Sequence, residues 1–135
     1  MKLGTVIHDN KFQYDDGTTG NKLAVIVARF GKNFLAVNTT SRQHRKNKIK
    51  GCQINDKPPN YYLPKNSMWF NADTWILLDQ IFELDINVLS AKNLNQITQT
   101  VLPQDVTKEL LKCAIKSEDI EEFYLEMLTG AFDSF

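Results

Sequence analysis

Cysteine and histidine are scarce in this 135-residue chain, with two of each, and only four prolines and six glycines accompany them. Cys52 and Cys113 stand far apart and form no CxxC, so neither a disulfide framework nor a zinc site is expected, and both are read as free thiols. His8 and His44 are isolated from one another and from the cysteines. No carboxylate cluster has ligand spacing, so no metal and no cofactor is expected. Nothing approaches the 18 or so consecutive apolar residues of a bilayer span, and the first residues lack the apolar run of a signal peptide. The expectation is a cytoplasmic protein with no membrane partner. GxxxxGK[ST], GxGxxG and GxSxG are all missing, which removes phosphate-loop nucleotide binding and the α/β-hydrolase serine. Gly17-Thr18-Thr19-Gly20 reads as a turn.

What is present points to one folded domain over 1–135. The formal charge is zero, but it is split. Residues 1–66 carry twelve Lys/Arg against four Asp/Glu, and residues 67–135 carry four against twelve. Such asymmetry suits a nucleic-acid face or an acidic-partner face; the alternative is that both halves interleave on one mixed surface.

The first half reads as strands. Leu23-Ala24-Val25-Ile26-Val27-Ala28 is a continuous apolar run, the pattern of a central strand buried on both faces. Gly4-Thr5-Val6-Ile7 is a short strand before it, and Tyr14 to Asn21 a turn or loop. Gly31-Lys32-Asn33 turns the chain into Phe34-Leu35-Ala36-Val37, so 23–28 and 34–37 form a hairpin. From Arg42 to Lys50 come five Lys/Arg in nine positions and no acid, with nothing that favours burial. Thr74 to Asp85 fits a strand bent near Asp79-Gln80. The period then becomes helical. Val106, Leu110, Leu111, Ala114 and Ile115 predict a helix capped at Asp105, and Ser117 is the expected cap of a second helix over 117–130. The fold class is α+β and β-rich, a small curled sheet with C-terminal helices.

The hairpin has a chemical consequence. Lys22 precedes the central strand and Thr39 and Thr40 end its partner, so counting back from the turn sets residue 22 against a residue near 40. A cation beside hydroxyls suits a phosphate, because one offsets charge on its oxygens and the other hydrogen-bonds them. The alternative is a strand edge of solvated polar residues.

Several segments, in order, resemble the MazF/PemK toxin family. Gly4-x-Val6, a polar loop and Asn21-Lys22-Leu23-Ala24-Val25-Ile26-Val27 are similar to its first two strands, where a glycine-rich loop leads to Arg-Pro and an apolar strand. Val37-Asn38-Thr39-Thr40-Ser41 is similar to its third strand, and Trp75-Ile76-Leu77-Leu78-Asp79-Gln80-Ile81 to its strand ending in Asp/Glu-Gln. The likeness continues through Asp85, Leu89, Ile97 and the helix after Pro103, covering about residues 1–116.

The resemblance implies an SH3-like β-barrel, a homodimer, and a groove for single-stranded RNA. It also implies metal-free endoribonuclease chemistry, in which the ribose 2′-hydroxyl attacks the adjacent phosphate, and an antitoxin protein as partner. The family's catalytic arginine falls on Lys22 and its threonine on Thr39. Lysine keeps the charge but loses the planar fork that holds two phosphate oxygens, and the proline after the arginine is replaced by Leu23.

Thr40, Ser41, Arg42, Arg45, Lys46, Lys48 and Lys50 are the expected RNA-binding residues. Tyr61, Tyr62 and Trp69 are candidates for base stacking or for packing. His44 is a proton-transfer candidate or simply exposed, and the acidic helix either covers a basic groove or is a solvated face. A non-catalytic RNA- or protein-binding module on the same fold is the alternative function. A third reading shares only the barrel and binds a protein through the acidic helix.

Overall fold

A computed structural model of the chain describes residues 1–14, 16–67, 70–85, 87 and 97–135, with 10, 11 and 97–99 described through the backbone alone. Seven strands form one antiparallel sheet: β1 (Thr5–Gln13), β2 (Thr19–Phe30), β3 (Asn33–Thr40), β4 (Gly51–Gln53), β5 (Asn60–Leu63), β6 (Thr74–Leu84) and β7 (Ile97–Val101). Their order across the sheet is β4-β5-β6-β3-β2-β1-β7, and the sheet curls around two helices, α1 (Gln104–Ile115) and α2 (Glu122–Asp133). The class is therefore α+β and β-rich. No helix of the described residues is long and apolar enough to cross a membrane.

β2 is central for the reason its composition predicts. Ala24 through Ala28 are all buried, with Val25 and Val27 in the large cluster under the helices and Ala24 and Ile26 in a second cluster with Ile7, Phe34 and Ala36. A strand that is apolar on both faces resists a one-residue slip, because a slip exchanges one face for the other. β2 pairs β3 through Val25↔Val37 and β1 through Val6↔Val25. β6 is bent where its sequence suggests: Val37 faces Ile81 but Thr39 faces Ile76, so the register shifts around Asp79-Gln80.

α1 buries Val106, Leu110, Leu111 and Ala114 on the core, and α2 adds Leu128, fully buried. The helix boundaries differ from expectation. α1 starts after Pro103, leaving Asp105 in its first turn, where a carboxylate favours the positive helix end. Ser117 caps nothing: its N–H donates to the Ala114 carbonyl at 3.1 Å and closes α1, so α2 begins only at Glu122 and runs past Gly130 to Asp133.

The cysteines correct the sequence reading outright. Cys52 and Cys113 form a disulfide, with Cα atoms 5.6 Å apart, tying β4 to α1. Sequence spacing gave no sign of it because the pair is made by the helix docking across the sheet, 61 residues later. Such a bond persists in oxidising surroundings, whereas reducing compartments keep cysteines as thiols.

Gly4 joins three elements. Its N–H donates to the Ile26 carbonyl at 2.7 Å, its carbonyl accepts from Leu102 N–H at 2.9 Å, and its φ is +91°. A Cβ there would collide with the Thr107 side chain, which is itself fully buried and bonded to the Pro103 carbonyl.

Two outcomes follow from this packing. Gly4→Ala should lower stability by about 1–3 kcal/mol in urea unfolding. Protein denatured without reductant should yield no free thiol, and reduction should lower stability by about 2–4 kcal/mol.

Candidate nucleic-acid interface

At one end of the sheet, β1, β2 and β3 and the chain leading into β6 border a groove of about 1140 Å³. Lys22, Thr39, Thr40, Ser41 and Arg42 all line it. The last β2–β3 pair is Ala24↔Asn38, so the same register carried two residues on sets Lys22 against Thr40, as the hairpin count predicts.

Strand alternation separates the two threonines. Thr39 pairs with Ile76 of the main core and Thr40 with Trp75 on the opposite face. Thr39 is buried, at 6% exposure, and its hydroxyl donates to the Leu23 carbonyl at 3.0 Å. Thr40 is half-buried, and its hydroxyl accepts from Arg42 N–H at 3.2 Å. Thr39 thus holds the strand ends together, and Thr40 stands on the face of Lys22.

Lys22 is the electrostatic centre of the groove. It is half-buried, its Nζ lies 5.9 Å from the Phe12 ring centroid, and it makes no ion pair with a described carboxylate. Desolvation lowers its pKa from the ordinary lysine value. A cation partly withdrawn from water is stabilised by an arriving anion.

The groove is also lined by polar residues to which sequence reading gave no place in it, among them His8, Tyr14, Asp16 and Asn21. His8 lies across from Leu23 on β1, and its Nε2 is 3.0 Å from Asn21 Oδ1. Tyr14 donates its hydroxyl to the Asn21 carbonyl at 3.2 Å. Asp16 accepts from the hydroxyl and N–H of Thr18, bonds that hold its pKa below the ordinary carboxylate value. Extending the count that joined Lys22 to Thr40 one strand further reaches Asp9, while His8 lies across from Leu23 on the other face.

The rest of the basic segment behaves differently. Arg45, Lys46, Lys48 and Lys50 do not line the groove. Lys46 is buried, at 7% exposure, its Nζ 5.7 Å from the Trp75 ring centroid and donating to the His44 carbonyl at 3.4 Å. Burial lowers its pKa, partly offset by Asp56 and Asp79. This corrects the expectation that nothing here favours burial. Asn47 is the reason: it donates twice to Asp56 and accepts from Trp75 Nε1–H and Gln53 Nε2–H, which pulls the segment onto the sheet.

Lys48 pairs with Asp73 at 3.0 Å; that bond, with those from Lys65 N–H and Tyr62, holds the Asp73 carboxyl at about 2. Arg45, Lys50 and His44 are exposed. Tyr61 and Tyr62 are buried and belong to packing, with Tyr61 donating to Glu109 at 2.7 Å, while Trp69 lies outside the described residues. No residue of α2 lines the groove, so the acidic helix does not cover it within one subunit. Among the described residues no three His, Cys, Asp or Glu side chains are grouped to hold a metal.

No family model matches the chain, and no curated protein matches it.

Two measurements test this geometry. The Lys22 ammonium should titrate below the ordinary lysine pKa by NMR, and inorganic phosphate should raise it back. Between its lowered folded pKa and the ordinary value, the unfolded chain binds more protons at this residue, so its contribution to stability should rise with pH there and vanish in Lys22→Met.

Proposed function

We propose that this chain is a metal-independent endoribonuclease of the MazF/PemK type, built on an SH3-like barrel and acting on single-stranded RNA. The observation that carries the reading is the half-buried Lys22, free of any described carboxylate partner, in one groove with Thr40, Ser41 and Arg42. The chemistry needs a cation at the reacting phosphate to stabilise the negative charge that builds on its oxygens. Lys22 supplies it, with Arg42 as a second cation at the rim. Thr39 acts from beneath by fixing the Leu23 carbonyl and hence the strand that carries Lys22.

RNA follows the sheet end, and the exposed Arg45 and Lys50 add attraction along its path, while Lys46 and Lys48, one buried and one ion-paired, add less. The active unit is a homodimer, held in check by an antitoxin protein, as expected for a toxin of this type.

A second reading has its own support. With the Thr39 hydroxyl already bonded and lysine in place of a forked arginine, the same groove suits RNA binding without cleavage.

Purified wild type should cut mixed single-stranded RNA in EDTA, leaving cyclic phosphate ends, and Lys22→Ala should lose about 10²–10³ in rate. Salt-sensitive binding with no cleavage would establish the binding module instead, and no affinity at low salt would end both readings.

A further inference from the structure

We propose that the ring of Tyr14, packed on Phe12 beside Lys22, stacks an unpaired nucleobase of the strand whose phosphate Lys22 receives. The inference rests on the RNA-binding part of the reading above.

Strand pairing puts these groups on one face. Phe12 pairs with Gly20 across the β1–β2 ladder, and Lys22 stands two residues beyond Gly20, as Tyr14 stands two beyond Phe12. Distances confirm the neighbourhood. Lys22 Nζ lies 5.9 Å from the Phe12 ring centroid, and the Phe12 and Tyr14 centroids are 5.2 Å apart, edge to face. The cation and the Tyr14 ring are therefore separated by a single side chain, which suits a phosphate and the base of its own or the next nucleotide.

The Tyr14 ring is open and yet fixed. It lines the groove and is 38% exposed. Its N–H donates to the Thr18 carbonyl at 2.8 Å, its carbonyl accepts from Gly17 N–H at 3.0 Å, and its hydroxyl donates to the Asn21 carbonyl at 3.2 Å. Both ends of the residue are thus tied down, so a flat apolar surface is offered to the groove with its ordering already done.

Gly20 makes room for the ring. A Cβ there would come within 3.0 Å of Tyr14 Cε2 and 3.5 Å of its hydroxyl oxygen. The φ of Gly20 is not positive, so the backbone itself has no need of glycine, and what the missing side chain provides is space.

The combination selects a nucleotide over a simple anion. Lys22 alone suits any phosphate, whereas an adjoining ring adds affinity only for a ligand with a flat π-face, and every base has one.

The test uses a 2′-fluoro single strand, which has no 2′-hydroxyl to attack, intact and with one base at a time removed. Affinity at low salt is measured for wild type, Tyr14→Ala, Tyr14→Phe and Gly20→Ala, with melting recorded on each. Removing the base at one position should weaken wild type by about 5–100-fold, and Tyr14→Ala should lose as much on the intact strand and nothing further on that abasic one. Tyr14→Phe, which keeps the ring, should stay near wild type, and Gly20→Ala, which pushes the ring aside, should fall between. Equal wild-type affinity for the intact and every abasic strand, or folded Tyr14→Ala that binds the intact strand as wild type does, overturns stacking at Tyr14 and leaves RNA binding standing. A wild type with no affinity for this strand or for RNA overturns both.

Discussion

The two-sided burial of β2 is the constraint on which everything else rests. Val25 and Val27 face one apolar cluster and Ala24 and Ile26 another, so neither neighbour of this strand can slip without exposing both. Lys22 inherits that rigidity. It stands two residues from the doubly buried run, so its position relative to Thr40 on β3 and Asp9 on β1 is set by packing far stronger than any contact the lysine makes. Thr39 completes the arrangement by bonding the Leu23 carbonyl where the β2–β3 ladder ends. A strand that leaves its ladder exposes orphan polar groups, and here a side chain rather than water answers one of them.

Much of this was legible in the sequence because it depends on local period and turn chemistry. The apolar run 23–28, the turn at Gly31 and the hydroxyls at 39–40 suffice to place Lys22 near Thr40, and the bend of β6 shows in Asp79-Gln80 interrupting an apolar strand. What stayed hidden depends on contacts distant in sequence. Which threonine faces inward depends on which face of β3 meets the helices, and a strand apolar on both faces does not reveal that in its own sequence. Leu89 and Trp69, which the resemblance and the stacking argument invoke, lie outside the described residues.

The basic segment shows how composition misleads. Five cations in nine residues read as a solvated rim, yet the uncharged Asn47 among them decides the outcome by bonding Asp56, Gln53 and Trp75. Lys46 is then carried inward against the Trp75 ring, where its aliphatic stem packs and its charge meets the aromatic face. Lys48 is drawn to Asp73, itself bonded to Tyr62. The charge split between the halves of the chain is thus partly cancelled by the Lys48–Asp73 pair across them.

The Cys52–Cys113 bond also changes how the molecule answers to force. A pull on the two ends of the oxidised chain can unravel only residues 1–51 and 114–135, because tension passes through the sulfur bridge. Residues 53–112 hold β5, β6, β7 and most of α1, and their contour, at about 3.4 Å per residue roughly 200 Å, never enters the extended length. β1, β2 and β3, with Lys22, His8 and Thr40, lie outside that enclosed loop. Mechanical threading of the oxidised protein, as by an unfolding machine working from the N-terminus, therefore dismantles the groove before it meets the covalent block.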